Sequence, residues 1–135
     1  MISSAPFPCP CGRIAAKKPL AYTACCGRFL DHFATLPADD AESLMRSRYS
    51  AFVLNRTDYL RSTWHPTTRP ADIAADVGTK WLGLDVHQHQ VIDADHAEVE
   101  FVARYRLDGR GVRIRERSRF VREGNRWFYV DGDLR

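Results

Sequence analysis

All four cysteines of the chain lie within one stretch of eighteen residues near its N-terminus. They form two close pairs, Cys9-Pro10-Cys11 and Cys25-Cys26, separated by thirteen residues. Zinc takes four soft ligands in a tetrahedron, and two close pairs joined by a short loop can supply them. The spacing therefore predicts one zinc ion held by Cys9, Cys11, Cys25 and Cys26.

Four sulfur ligands would fill the coordination shell of that ion and leave no position for a substrate, which predicts a structural role. Gly12 and Gly27 follow the two pairs, where tight turns would let backbone amides approach the sulfurs. A cytosolic protein keeps its thiols reduced, which disfavours a disulfide framework. Free thiols and a redox-active pair remain as alternatives at this point.

The cysteine-rich segment, residues 1–36, differs in charge from the rest of the chain. It carries four basic residues against one acidic residue, whereas residues 37–135 carry sixteen of each. A chain of 135 residues accommodates one ordinary domain and a small appendage. We therefore expect a zinc knuckle over residues 1–36 and one globular domain over residues 37–135.

The beginning of the larger domain has the period of amphipathic helices. Apolar residues recur at helical spacing over residues 39–53, with Asp39 and Glu42 as a capping pair. A second helix is predicted over residues 57–64, where a following proline ends it, and a short third helix around residues 71–77.

From Trp81 onward the apolar period changes to two, which is typical of strands. Four runs alternate in this way or are rich in aromatic residues: 82–86, 97–105, 112–120 and 126–131. Glycine-containing turns at residues 108–111 and 123–125 predict hairpins between them. Helices followed by a strand meander predict an α+β fold, with an antiparallel sheet and helices packed on one face.

Neither a membrane span nor a secretory leader is expected. No apolar run approaches the roughly 20 residues that a membrane helix needs. The first residues, MISSAP, lack the basic segment and apolar core of a signal peptide. These features predict a cytoplasmic protein without membrane contact.

Several motifs resemble known families. The residues Cys9-Pro10-Cys11-Gly12, Tyr22 and Cys25-Cys26-Gly27 resemble the SEC-C motif, a zinc knuckle found at the C-terminus of the SecA translocase. Other segments are similar to the uncharacterised bacterial YchJ-like family: AESLMRSRYSAF (residues 41–52), DYL (58–60), TWHP (63–66), Glu116-x-Ser118-x-Phe120 and Trp127-x-Tyr129-x-Asp131-Gly132.

The resemblance covers essentially the whole chain and implies a fold and a kind of partner. The implied fold is nuclear transport factor 2-like (cystatin-like): a curved antiparallel sheet wrapped around N-terminal helices to form a cone. The SEC-C resemblance implies that the knuckle docks on a protein or ribosome-associated partner. The family implies no particular activity, and the cone fold hosts enzymes, ligand binders and interaction domains alike.

Glu116 is the first candidate for chemistry in the larger domain. Strand alternation places it on the apolar face of its strand, where a carboxylate must be paired, hydrogen-bonded or protonated. One interpretation is an acid or base in a pocket. The favoured interpretation is a structural glutamate satisfied by an arginine such as Arg46, Arg48 or Arg104.

Aromatic and polar side chains near Glu116 predict a ligand pocket. On the last strand Trp127, Tyr129 and Asp131 share one face, unless a one-residue bulge changes the alternation. The predicted pocket residues are Trp64, Trp81, Ser118, Trp127, Tyr129 and Asp131.

Three histidines offer weaker signals. His65 follows the second helix and is a candidate acid or base near neutral pH, although a cap of the helix end is favoured. His87 and His89 share a strand face and could bind a metal, but Gln88 and Gln90 favour a solvated strand instead.

Four arginines alternate along the strand between residues 113 and 119 and form a basic stripe. Nucleic acid is the obvious ligand for such a stripe. However, Glu98 and Glu100 on the neighbouring strand can pair with it, and the domain has no net charge, so nucleic acid is disfavoured. A solvated face or a homodimer through the open sheet is expected.

The sequence thus predicts a zinc-binding adaptor or small-ligand-binding protein whose knuckle docks a protein or ribonucleoprotein partner. The alternative is a small enzyme of the isomerase, dehydratase or hydrolase type that uses Glu116 or His65 as acid or base. The closed four-sulfur site and the lack of a clear catalytic constellation favour the non-enzymatic interpretation.

Overall fold

A computed structural model of the protein describes residues 7–73 and 78–135. The cysteine-rich segment is made of turns and very short elements, which have little stability of their own. Its elements are the paired antiparallel strands β1 (Ile14–Ala15) and β2 (Lys18–Pro19), a 3-10 turn (Tyr22–Ala24) and helix α1 (Gly27–Leu30).

Helix α2 (Ala41–Val53) forms where the sequence predicts a helix. Its N-cap is Asp40, whose Oδ1 accepts a hydrogen bond from the backbone N–H of Ser43 at 2.7 Å. The predicted capping pair of Asp39 and Glu42 is therefore wrong: the cap lies one residue later, and the Glu42 carboxylate contacts arginine side chains instead.

Helix α3 (Thr57–Ser62) ends two residues earlier than predicted. Backbone pairing with the sheet replaces the last helical turn. The N–H of Tyr129 donates to the carbonyl of Thr63 at 2.8 Å, and the N–H of His65 donates to the carbonyl of Tyr129 at 2.8 Å. These two hydrogen bonds fix the end of α3 against the sheet.

The third helix predicted around residues 71–77 falls partly outside the described residues. Residues 71–73 are not helical, and residues 74–77 are not described. Within the described ranges, no helix combines the length and the apolar character that crossing a membrane requires.

The four long strands form one antiparallel sheet in chain order: β3 (Thr79–Asp93), β4 (His96–Leu107), β5 (Arg110–Glu123) and β6 (Arg126–Leu134). Tight turns join the last three strands. Asp108, Gly109, Gly124 and Asn125 adopt positive φ in these turns, a conformation that glycine and asparagine tolerate best. The predicted α+β meander is confirmed.

Register shifts accompany the curvature of the sheet. Three occur between β3 and β4, and one occurs between β5 and β6 after Arg119. A bulge adds a residue to one strand and increases its bend and twist. The concave face is buried against α2, and on β4 it carries Ala97, Val99, Phe101 and Ala103. The structure therefore has the cone shape implied by the resemblance.

The outward face of the sheet is covered by ion pairs. Arg115 and Arg117 contact Glu98 and Glu100 on β4, and Arg119 contacts two aspartates of β6. Exposed pairs of this kind contribute little to stability. They do neutralise most of the predicted basic stripe, which removes much of the positive potential that nucleic acid would need.

A buried hydrogen bond joins α2 to α3. The hydroxyl oxygens of Ser47 and Tyr59 are 2.7 Å apart, and the Ser47 hydroxyl donates to the carbonyl of Leu44 at 2.7 Å. The Tyr59 hydroxyl is therefore the donor to Ser47. Burial raises the pKa of Tyr59 to about 12, so the tyrosine remains protonated at neutral pH.

We expect Ser47→Ala to lower the free energy of unfolding by about 1–2 kcal/mol, because the buried Tyr59 hydroxyl loses its acceptor. Denaturant unfolding followed by circular dichroism measures the difference. Ser62→Ala, the same change at an exposed position of α3, should stay within about 0.5 kcal/mol of the original protein. Equal effects of the two substitutions would contradict the assignment.

Candidate functional site

The four cysteine sulfurs converge on one point. All four lie within 4.8 Å of one another, and the residues are buried and not joined by disulfides. The sulfurs of Cys11 and Cys25 are 3.6 Å apart. This cluster could hold a metal ion, and it is the one such group of cysteine, histidine and carboxylate side chains within residues 7–73 and 78–135.

Two glycines make the sulfur cluster sterically possible. Gly12 adopts a φ of +75°, which strains other residues. At Gly27 a Cβ atom would lie 2.8 Å from both the ring and the carbonyl oxygen of Tyr22. Both glycines therefore allow the chain to turn closely beside a cysteine pair.

The environment of the sulfurs stabilises negative charge on one pair. Cys9 and Cys11 accept hydrogen bonds from neighbouring thiols, which lower the pKa of Cys9 and lower that of Cys11 to about 7. Cys25 and Cys26 donate hydrogen bonds to these sulfurs, which raises the pKa of both. The Arg46 guanidinium lies 4.0 Å from the Cys11 sulfur. A positive group thus stands beside a cluster whose metal-binding form is anionic.

The cysteine cluster lies where the knuckle packs against α2. The Arg46 side chain also donates to the carbonyl of Cys11 at 3.1 Å, and the Ser50 hydroxyl lies 3.6 Å from the Cys9 sulfur. Arg13 reaches from the knuckle to Glu42 on α2 at 3.2 Å. The sulfurs therefore join the knuckle to the larger domain.

The histidines of β3 do not join the cysteine cluster. A register shift lies between Val86 and Gln88, so the regular alternation that would align His87 with His89 is interrupted. His89 lies 3.8 Å from Glu42, and its Nε2 is buried without a hydrogen-bond partner among the described residues. The weak prediction of a metal site on these two histidines receives no support.

A cavity of about 180 Å³ lies between α2 and the concave face of the sheet. Most of its wall is apolar or aromatic: Met45, Tyr49, Phe52, Trp64, Trp81, Phe101, Ala103, Ile114, Phe120 and Tyr129. Its polar and charged residues are Arg48, Glu116 and Ser118. A largely apolar cavity with a few polar groups is the usual form of a small-molecule site.

Arg48 is buried at the cavity wall, with 5% of its surface exposed. Its Nη1 donates to the carbonyl of Leu60 at 2.8 Å and to the hydroxyl of Thr63 at 2.7 Å. The guanidinium also lies over the rings of Tyr129 and Trp64, 4.7 and 5.1 Å from their centroids. Burial lowers the pKa of Arg48 to about 10, which leaves it charged at neutral pH.

Glu116 faces the cavity from β5. Its Oε2 accepts a hydrogen bond from the hydroxyl of Ser118 at 2.5 Å. Among the described residues, none of the arginines predicted as partners forms an ion pair with it. Arg48 interacts with it through the longer-range field, without contact. Gly132 on β6 leaves the space for this carboxylate, because a Cβ there would lie too close to Oε2.

Four of the six predicted pocket residues line the cavity: Trp64, Trp81, Ser118 and Tyr129. Asp131 does not, because the irregularity after Arg119 turns it to the outer face, where it pairs with Arg119. Trp127 packs against the core but is not part of the cavity wall.

The sequence analysis named Arg48 as a possible partner of Glu116 but did not place it among the pocket residues. The available signal was its place in the apolar stripe of α2, four residues after Leu44 and four before Phe52. A charge at such a position requires either a buried partner or a ligand.

His65 lies outside this cavity, in a separate surface groove. Its Nε2 is 3.0 Å from the carboxylate of Glu123, and its Nδ1 accepts from the backbone N–H of Thr67 at 3.2 Å. The ring also packs edge-on against Phe128 of the sheet. His65 and Glu116, the two acid–base candidates, therefore do not share a site.

Known proteins are similar to this chain both in the larger domain and over nearly its whole length. Residues 40–132 match the family model of the YchJ middle NTF2-like domain. A UPF0225 protein of Polaromonas sp. is 64% identical over 129 residues, which is 94% of this chain and 93% of the relative. A UPF0225 protein of Polaromonas naphthalenivorans is 62% identical over 133 residues, 93% of this chain and 96% of the relative.

Two solved structures are similar over nearly the whole chain. A SEC-C motif containing protein from Psychrobacter arcticus has a TM-score of 0.78 and 31% identity, covering 95% of this chain and 82% of that one. A SEC-C motif containing protein from Rhodopseudomonas palustris has a TM-score of 0.78 and 33% identity, covering 94% and 98%.

We expect Gly27→Ala to destabilise the knuckle by about 1–3 kcal/mol, because the added methyl group meets the Tyr22 backbone. Metal content after dialysis against a weak chelator, together with the thermal unfolding midpoint, measures the effect. Gly111→Ala is the control, since nothing lies within 4 Å of its added Cβ. Unchanged metal content and stability in Gly27→Ala would show that the close approach is not needed.

Proposed function

Because the chain belongs to the YchJ-like family, we propose that it is a zinc-binding protein that holds a small organic ligand in its cone. The observation that carries the ligand-binding proposal is the cavity of about 180 Å³ between α2 and the sheet. Its apolar walls supply the affinity, and its few charged groups supply the orientation. The knuckle packs against α2, the helix that also lines the cavity.

Zinc fits the cysteine cluster by chemistry and by size. Zinc–sulfur bonds of about 2.3 Å place the sulfurs of a tetrahedron roughly 3.8 Å apart. The Cys11–Cys25 separation of 3.6 Å is close to that value. Four buried sulfurs leave no position for a substrate, which supports a structural ion that joins the knuckle to α2.

Docking of a protein or ribonucleoprotein partner through the knuckle is a second candidate function. The inner side of the knuckle is occupied by α2, so a partner would use its outer side. There Ile14 has 65% of its surface exposed, next to the exposed Lys17 and Lys18. An apolar and basic face of this kind suits an acidic partner.

Acid–base catalysis in the cone, the enzymatic alternative, would depend on Glu116. Its partner is the hydroxyl of Ser118, and no second titratable side chain within the described residues lies at hydrogen-bond distance from it. Catalytic sites of this type normally pair a base with a second proton-transferring or charge-stabilising group at close range. The arrangement supports ligand binding over catalysis.

We expect native mass spectrometry of the purified protein to show one zinc ion per chain. Cys25→Ser should lose the ion, and Ala24→Ser, which introduces the same residue at the neighbouring exposed position, should retain it. Zinc should also be released as the pH falls, because the sulfurs bind it as thiolates. Four titratable thiols and no metal in protein prepared without chelator would contradict the assignment.

We expect toluene, an apolar probe of suitable size, to bind in the cavity. Ile114 lines the cavity, and the larger side chain of Ile114→Phe should occupy part of its space. This variant should bind toluene about tenfold or more weakly, as measured by ligand-observed NMR. Val91→Phe, on the exposed part of β3, is the matched control and should bind as the original protein does. Absence of toluene binding, or equal binding to both variants, would refute the cone as a ligand site.

A further inference from the structure

The guanidinium of Arg48 is held in place but only partly satisfied. Its Nη1 is bound to Leu60 and Thr63, and the Tyr129 and Trp64 rings fix its plane. Its Nε and Nη2 donors have no hydrogen-bond partner among the described residues. This buried cation therefore offers a free donor edge at the cavity wall.

No carboxylate of the described residues lies within ion-pair distance of Arg48. Glu116 lines the same cavity and interacts with Arg48 through the longer-range field, without contact. A buried charge with no partner is costly, whereas an anion bound to its free edge would compensate it. The Nε–Nη2 edge of a guanidinium matches the two oxygens of a carboxylate.

Glu116 supplies an acceptor on the same cavity. One carboxylate oxygen is occupied by the Ser118 hydroxyl, and the other has no partner among the described residues. A ligand hydroxyl or amino group could donate a hydrogen bond to it. Arg48 is the one cation and Glu116 the one carboxylate among the residues that line the cavity. A ligand that suits both therefore carries one carboxylate for Arg48 and, away from it, a hydrogen-bond donor for Glu116.

The size and walls of the cavity limit the rest of the ligand. An apolar cavity of about 150 Å³ accommodates benzene in another protein. The volume here is about 180 Å³, with aromatic walls that include Tyr49, Phe52 and Trp81. One six-membered ring with two small substituents fits this space.

We infer that the cone binds a monocyclic monocarboxylate that carries a hydrogen-bond donor, with its carboxylate on Arg48 and its donor on Glu116. This inference rests on the proposed function, because it requires the cone to be a ligand site. It adds the chemical class of the ligand and the two residues that orient it.

The test compares matched probes on the unmodified protein, so that it does not depend on a variant that fails to fold. NMR titration should show that para-hydroxybenzoate binds about tenfold or more tightly than its uncharged amide, para-hydroxybenzamide. Benzoate, which lacks the donor for Glu116, should bind more weakly than para-hydroxybenzoate.

Substitutions at Arg48 and Glu116 test which residue contacts which group of the ligand. Arg48→Met should remove the preference for the carboxylate over the amide, and Arg48→Lys should retain part of it. Arg115→Met is the matched control, since this arginine lies on the outward face and pairs with Glu100. Glu116→Gln should retain the carboxylate preference but change the preference for a hydroxyl group, because the amide can donate as well as accept.

The outcomes separate this inference from the proposed function. If the amide binds as tightly as the carboxylate while toluene still binds, the inference is wrong and the cone remains a ligand site. If neither the probes nor toluene bind, both fail. Carboxylate binding that survives Ile114→Phe would place the anion elsewhere and overturn the inference.

Discussion

The packing of helix α2 on two sides is the constraint on which both halves of this protein depend. Residues four apart lie on one face of a helix, and α2 has two such rows. One row, Glu42, Arg46 and Ser50, contacts the knuckle and its sulfurs. The other, which includes Arg48 and Phe52, faces the cone. Loss of the knuckle would therefore also disturb the wall of the cavity.

Each row of α2 contains a buried or partly buried arginine, and the two arginines have different partners for their charge. At the knuckle, burial by itself lowers the pKa of Arg46, but the hydrogen bond to Glu42 and the charge of Cys11 outweigh this effect, so the pKa is raised. The charge of Arg46 is therefore balanced by neighbouring groups. In the cone, Arg48 is held by a carbonyl, a hydroxyl and two aromatic rings, none of which carries a negative charge. This difference is why we propose a structural role for the cysteine cluster and a binding role for the cone.

Local and periodic signals allowed much of the fold to be predicted. The cysteine spacing predicted the cluster, and the change of period at Trp81 predicted the sheet. The errors arose where distant segments compete with local preference. Helix α3 ends early because Thr63 and His65 pair with β6, and Asp131 turns outward because of a one-residue irregularity in register.

The sequence by itself determined the α+β order, the closely spaced cysteines and the presence of a carboxylate on an apolar strand face, because each of these is a local or periodic property. Only the tertiary structure decided which charged groups share the cone. Arg48 and Glu116 come from a helix and a strand far apart in the chain, and both line one cavity without forming an ion pair. Their relation depends on the rotation of α2, on the bulges of the sheet and on the space left by Gly132, all of which are long-range packing effects.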